Sequence, residues 1–264
     1  MRIGNLTPLP GDRVLVELLD SEIGKGVICE ILERTSLLTR PAIANLNQLF
    51  VVISVTQPEP DLLLADKLII SALSHEIMPV LVVNKIDLQV PDIDSIAKQY
   101  EHTGLKQIYT SAITGEGIDD IFDSMKGKIS GFAGQSGVGK SSILNSMMKK
   151  EAMLTGVLGE KTFRGKHTTR HAELFVLNND GFVLDTPGFS SYELENIMYN
   201  DLWQYYPEMA EVKENCRFQG CIHVAEPDCR IKELVEQGLI HQKRYQRYLS
   251  LITTLKEVHK NRWR

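Results

Sequence analysis

Gly134-Gln135-Ser136-Gly137-Val138-Gly139-Lys140-Ser141-Ser142 is the stretch on which the reading of this chain turns. It fits the pattern G-x-x-x-x-G-K-[ST]. Residues 128–133 before it read as a short buried strand, and residues 142–148 after it as the first turns of a helix. A strand, a glycine loop and a helix N-terminus together cradle phosphate. The glycines let backbone N–H groups turn toward anionic oxygens, and the helix dipole adds favourable charge. In such a cradle Lys140 reaches the β- and γ-phosphates and the Ser141 hydroxyl ligates Mg²⁺. The implied ligand is a nucleotide.

Working outward, strands and helices alternate. Residues 49–55 and 80–83 are β-branched runs, and residues 107–110 form a third strand. Residues 61–75, 92–102 and 117–125 have helical spacing, the first starting at Asp61 after Pro60. Beyond the glycine loop, residues 172–177 and 182–184 read as strands joined by an Asn178-Asn179-Asp180-Gly181 turn. Such alternation predicts a mostly parallel sheet with helices on both faces.

Three further motifs fall at strand ends, where open α/β sheets bind ligands. In Asn84-Lys85-Ile86-Asp87 the carboxylate of Asp87 can accept from the N1–H and exocyclic amine of guanine, a donor pair that adenine lacks. In Thr110-Ser111-Ala112 the backbone of Ser111 and Ala112 can hold the guanine O6. In Asp185-Thr186-Pro187-Gly188, Asp185 would hold Mg²⁺ through water and the Gly188 N–H would sense the γ-phosphate. Each motif alone is weak; together with the glycine loop they point to GTP. Their order is unusual. The base-reading motifs precede the phosphate loop and the Asp185 motif comes last, whereas in an ordinary small GTPase the phosphate loop comes first. The order predicts one complete G domain, circularly permuted.

The C-terminal third carries Cys216-x₄-Cys221-x-His223-x₅-Cys229, three thiolates and an imidazole that make a full tetrahedral set for one structural Zn²⁺. The remaining cysteine, Cys29, reads as a small buried hydrophobe. Three clustered cysteines cannot pair evenly, which favours metal over disulfides in a reducing cytosol.

Permuted motif order, the glycine loop, Gly165-Lys166-His167-Thr168-Thr169-Arg170-His171 and the cysteine cluster together make this sequence similar to the RsgA/YjeQ family of circularly permuted GTPases. The resemblance runs from about Asp12 to the C-terminus. It implies a multidomain α/β chain: an OB-like β domain at residues 1–40, a permuted GTPase domain at 41–192 and a zinc-binding helical domain at 193–264. It also implies GTP and GDP as ligands, Mg²⁺ and Zn²⁺ as cofactors, and the small ribosomal subunit with its rRNA as partner, late in subunit assembly. The first 40 residues hold two β-type runs, at 12–18 and 26–32, followed by a linker containing Arg34, Thr39, Arg40 and Pro41. An OB-fold needs five strands, so the domain is expected to be reduced or to lack its start. A hairpin of this size must pack on something.

Under this reading residues 165–171 close over the γ-phosphate. Thr169 is the choice for the second Mg²⁺ hydroxyl, with Thr168 the rival. The usual water-positioning glutamine should follow Gly188, but Phe189 stands there, so slow intrinsic turnover and help from a partner are expected. His167 is the candidate from within the chain, with packing or an RNA phosphate contact as its other reading. Gly137 stands where potassium-dependent relatives carry asparagine, so nothing calls for potassium.

Composition bounds the rest. The 264 residues, 43% hydrophobic and 24% charged, are ordinary for a globular protein of two domains and a small appendage. No run suits a membrane helix and no signal-peptide pattern opens the chain, so a cytoplasmic monomer without membrane contact is expected. A net charge of −5 argues against a uniformly basic nucleic-acid glove but leaves room for patches. Residues 126–171 hold nine Lys/Arg against Glu151 and Glu160, and residues 241–264 hold seven against Glu257. The second patch falls on an expected helix over 230–258, where Tyr245, Tyr248 and Trp263 are interleaved as RNA contacts or as core. Two other functions fit the same motifs: a GTP-dependent metal-delivery protein with the cysteine cluster as cargo site, and a scaffold that binds GTP without hydrolysing it.

Overall fold

The computed structural model describes residues 6–20, 25–39, 42–88, 93–155, 173–185, 194 and 197–262. Two antiparallel pairs open the chain, β1 (Val14–Asp20) with β2 (Lys25–Ile31), and β3 (Leu37–Thr39) with β4 (Ala42–Ala44). Then come β5 (Gln48–Ser54), α1 (Leu62–Ser74), β6 (Met78–Asn84), α2 (Ile93–Gln99), β7 (Lys106–Thr110), α3 (Ile118–Ser124), β8 (Ile129–Ala133), α4 (Lys140–Thr155), β9 (Glu173–Val176) and β10 (Phe182–Asp185). A helical module follows, with α5 (Pro207–Ala210), α6 (Arg230–Glu236) and α7 (Gln242–Arg262).

The central sheet has the order β7-β6-β5-β8-β10-β9, with only β9 antiparallel. All seven residues of β5 are buried, as expected for a parallel strand covered on both faces. Adjacent side chains go to opposite sides. Val51, Ile53, Leu81 and Val83 join α1 and α2 residues in one core, while Phe50, Val52, Val80 and Val82 join α3 and α4 residues in the other. The Phe50 and Phe132 rings stack at 4.7 Å between β5 and β8. The sheet is continuous although the chain visits its strands in permuted order, so the expected circular permutation is present in the topology.

Pairing in register aligns the strand ends that matter. Ser54 lies opposite Asn84, and Asn84 opposite Thr110. Helix α1 begins where expected: the Asp61 side chain accepts from Leu64 N at 2.9 Å and caps it, a contact worth about 1 kcal/mol.

Four expectations fail at the ends of the chain. The region read as a linker is the β3–β4 pair, preceded by a bidentate ion pair from Arg34 to Asp12 at 2.7 and 2.9 Å. The β1–β2 hairpin, expected to pack on something, leaves its apolar side chains uncovered: Leu15, Val16, Leu18 and Leu19 are 50–70% exposed. Cys29 is exposed rather than buried, because it rides on this uncovered ribbon. The helix expected over 230–258 is broken. Gly238, with φ 76°, ends α6, and the N–H groups of Leu239 and Gly238 return to Leu234 O and Val235 O at 2.9 and 3.1 Å.

Candidate functional site

The phosphate loop leaves β8 at Gly134 and enters α4 at Lys140. Two of its glycines are required by space as well as by torsion. Gly134 has φ 143°, and a Cβ there would lie 2.1 Å from Val52 O; Gly139 has φ 99°, and a Cβ there would lie 2.3 Å from Asn84 Nδ2. Ser136, Gly137, Ser141 and Ser142 are exposed at the mouth of the loop, Gln135 and Gly139 are half-buried, and Val138 anchors it in the core. Lys140 Nζ donates to Gly134 O and Gln135 O at 2.7 and 2.9 Å, and burial lowers its pKa.

The base-reading motifs lie beside this loop, and two of their residues bond to it directly. Asn84 is buried. Its Nδ2 donates to Val138 O at 2.8 Å and its Oδ1 accepts from Ala112 N at 3.3 Å. Lys85, at φ 69°, donates through Nζ to Gly137 O at 2.8 Å and also to Gln57 O. Both belong to the motif expected to bind nucleotide. Their contacts clip the phosphate loop to the base loops, so they also position the site. Ser111 is buried and its Oγ accepts from Ile113 N and Thr114 N at 3.3 and 3.1 Å, fixing the turn that carries Ala112.

Asp87 differs from these. It sits with Ile86 in a short 3₁₀ turn, and its Oδ1 is buried with no hydrogen-bond partner among the described residues. A buried carboxylate oxygen without a donor costs free energy unless a ligand supplies one. That is the fit test for guanine, and Asp87 meets it. Asp185 ends β10 directly beside β8, where Leu184 pairs with Gly131, so it reaches the same edge as the phosphate loop. Gly188, Phe189, His167, Thr168 and Thr169 lie outside the described residues.

The segment between β5 and α1 was not singled out from the sequence. Ser54 Oγ donates to Pro58 O at 2.7 Å, Gln57 O accepts from Lys85, and Pro58 packs beside Gly137. Its only signal was Gln57-Pro58-Glu59-Pro60, which reads as an ordinary loop. We expect Gly139→Ala to displace Asn84 and free both loops. An equilibrium titration with GDP should then show affinity reduced about 10-fold or more, from the buried amide left unpaired.

The cysteine cluster assembles as expected. Ligand atoms of Cys216, Cys221, His223 and Cys229 lie within 4.8 Å of one another. His223 Nδ1 is 3.6, 3.3 and 3.4 Å from the three sulfurs in that order, and the Cys221 and Cys229 sulfurs are 3.7 Å apart. Tetrahedral Zn²⁺ with Zn–S of about 2.3 Å and Zn–N of about 2.0 Å sets edges of roughly 3.5–3.8 Å. The set fits zinc. Burial pushes the Cys221 thiol up to about 12 and raises that of Cys229, so thiolates here call for a cation. Glu226 folds the loop between the ligands, accepting from Ile222 N, Val224 N and Ala225 N at 2.9, 2.8 and 3.0 Å. Burial raises its pKa, but these donors together outweigh burial and hold the carboxyl below its usual range.

Tyr245 OH donates to His223 O at 2.6 Å and Tyr248 OH to Ile222 O at 2.8 Å. Both rings are buried, so these tyrosines are core and not RNA contacts. Arg244 and Arg247, counted above in the basic patch, are spent in buried ion pairs with Asp66 and Glu208. Lys243, Lys256 and Lys260 remain exposed on α7.

Comparison with known proteins agrees with this geometry. The family model described as RsgA GTPase matches residues 31–195. The small ribosomal subunit biogenesis GTPase RsgA of Ruminiclostridium cellulolyticum is 45% identical over 97% of this chain and 84% of its own length. Its counterpart from Caldanaerobacter subterraneus is 42% identical over 100% and 88%. Among solved structures, YjeQ from Thermotoga maritima superposes with a TM-score of 0.82 at 37% identity, covering 95% of this chain and 85% of that one. YloQ, described as a circularly permuted GTPase, gives 0.79 at 33% identity, covering 96% and 82%. With a permuted sheet, a guanine-fitting carboxylate and relatives matched over nearly the whole chain, this protein belongs to the RsgA GTPase family.

Proposed function

We propose that this chain hydrolyses GTP as a late checkpoint in assembly of the small ribosomal subunit, binding its rRNA and leaving after hydrolysis. The observation that carries the reading is the buried, donor-less Asp87 Oδ1 beside a complete phosphate loop, in a chain 45% identical to a small-subunit biogenesis GTPase. In this reading Asp87 selects guanine, assisted by the backbone of Ile86, Ser111 and Ala112. Residues 134–142 hold the phosphates, with Lys140 as the cation. Ser141, Asp185 and Thr169 would hold Mg²⁺, which when bound offsets charge between the β- and γ-phosphates. His167 and the partner supply what Phe189 cannot. Cys216, Cys221, His223 and Cys229 would hold one Zn²⁺ for folding only, since four protein ligands leave no position for water.

The functional units are residues 1–40, 41–192 and 193–264, acting as a monomer in the cytoplasm. Among the described α7 side chains, exposed Lys243, Lys256 and Lys260 are available to rRNA phosphate. Metal delivery is disfavoured: Cys221, His223 and Cys229 are buried, and two tyrosines brace their loop. GTP turnover measured alone, with small subunits, with large subunits and with ATP in place of GTP tests the proposal. Stimulation by small subunits only, and only of GTP, is expected. Equal stimulation by both subunits, or by neither, would contradict it.

A further inference from the structure

Helix α1, Leu62–Ser74, is apolar on nearly every side, yet it carries a fully buried Asp66. Ala65, Leu68, Ile69 and Ala72 face the sheet core, while Leu63 and Ile70 pack into the C-terminal module. Asp66 falls on this second stripe, at the spacing i, i+3, i+7 from Leu63. Its Oδ1 accepts from Tyr100 OH at 2.8 Å and Arg244 Nη1 at 2.6 Å, and its Oδ2 from Arg247 Nε at 2.5 Å. Arg244 also pairs with Glu208, and its guanidinium lies between the Tyr100 and Tyr206 rings, 4.8 and 4.7 Å from their centroids. Arg247 reaches Gln99 Oε1 at 2.6 Å. Two carboxylates and two guanidiniums thus balance in charge, with Asp66, Glu208 and Arg244 buried and Arg247 nearly so.

Both ends of this cluster lead to sites. On the G-domain side, Asp61, which caps α1, and Leu64, Ala65 and Leu68 of α1 line one crevice with Gly134 and Gln135 of the phosphate loop. The segment before α1 meets that loop again through Lys85, which bridges Gln57 O and Gly137 O. On the module side, α7 turns Arg244 and Arg247 toward Asp66 and the adjacent Tyr245 and Tyr248 toward the loop holding His223. One turn of α7 therefore grips α1 and the cysteine loop together. Buried ion pairs are poor sources of net stability, but breaking one leaves an uncompensated charge, so they hold parts in a single arrangement.

We propose that Asp66 locks the cysteine-rich module to the helix beneath the phosphate loop, so that nucleotide binding and closure of the cysteine loop are thermodynamically linked. Rigidity imposed at Gly134–Gln135 is carried by α1 to Asp66, and by α7 to His223. By reciprocity, whatever factor nucleotide adds to loop protection, the closed loop adds to nucleotide affinity. The proposal rests on the nucleotide-site reading above.

Amide hydrogen exchange on the zinc-loaded full chain, with and without saturating GDP, tests it, with GDP affinity titrated on the same samples. The amides of Ile222, Val224 and Ala225 report the loop, because each is bonded to Glu226 and exchanges only when the loop opens. GDP should slow their exchange about 5-fold or more. Asp66→Asn should abolish that slowing while GDP still protects residues 134–140, and GDP affinity should fall by the factor lost. Should Asp66→Asn not fold, Arg247→Gln keeps the Arg244–Glu208 pair and must reduce the slowing in part. GDP that binds without changing loop exchange overturns the linkage, as does slowing that survives intact in either variant. GDP that does not bind at all overturns the site reading instead.

Discussion

Asp87→Asn is expected to lower GTP affinity by about 10²–10⁴-fold while leaving the fold intact. The carboxylate would accept two hydrogen bonds from guanine, each charge-assisted and worth about 1.5–3 kcal/mol, and the asparagine amide turns one of those acceptors into a donor facing a donor. Because Asp87 Oδ1 has no hydrogen-bond partner among the described residues, the change should cost the fold little and the melting temperature should hardly move. A xanthine nucleotide, with a carbonyl in place of the exocyclic amine, should recover much of the lost affinity, since it presents an acceptor to the new donor. Fluorescence titrations with GDP, GTP, ATP and xanthosine diphosphate separate these outcomes. Unchanged guanine affinity in the variant would remove Asp87 from the site.

Stripping zinc, or making Cys229→Ser, is expected to unfold the C-terminal module. Structural zinc in small sites contributes about 10–16 kcal/mol of apparent binding free energy, comparable to or above the net stability of a whole domain, about 5–15 kcal/mol. Without the cation the buried sulfurs revert to neutral thiols with nothing to tie them together, and the His223 loop they share is what Tyr245 and Tyr248 bind. Metal loss should therefore appear as proteolytic sensitivity across 213–262 and as a changed near-ultraviolet tyrosine and tryptophan spectrum, with GTP binding less affected. One zinc per chain that survives repeated GTP cycles is the companion expectation. A module that melts identically with and without metal would show that the four ligand residues serve some other purpose.

The parts of the site legible in the sequence are those whose chemistry is local. Gly134 and Gly139 announce themselves because the torsions and close approaches there admit no side chain. Strands β5 and β6 show as β-branched runs because both their faces are buried, and Asp61 shows as a cap because its partner is three residues away. Motif order sufficed for the permutation, since each motif sits at one strand end whatever the connection. The cysteine spacing sufficed for the ligand set.

Other features depended on which surfaces meet. The sequence motif names Asn84 and Lys85 as ligand residues but says nothing of their protein partners, Val138, Gly137 and Gln57, which are distant in sequence and brought close by strand pairing. Arg244 and Arg247 looked like two of the seven cations of a basic patch. Their counter-ion Asp66 lies 178 positions before Arg244, and a charge reads as solvated until such a partner is known. Tyr245 and Tyr248 were open to either reading because helical spacing names a face but not its neighbour. Cys29 looked buried because its strand is apolar, and only the fold reveals that this ribbon stands uncovered. By itself, then, the sequence pointed to the ligand class, the permuted connection of a mostly parallel sheet and the cysteine–histidine cluster, all carried by local motifs and short spacing. Tertiary structure alone decided which polar side chains face ligand and which face each other, because that choice is made by desolvation between segments far apart in the chain.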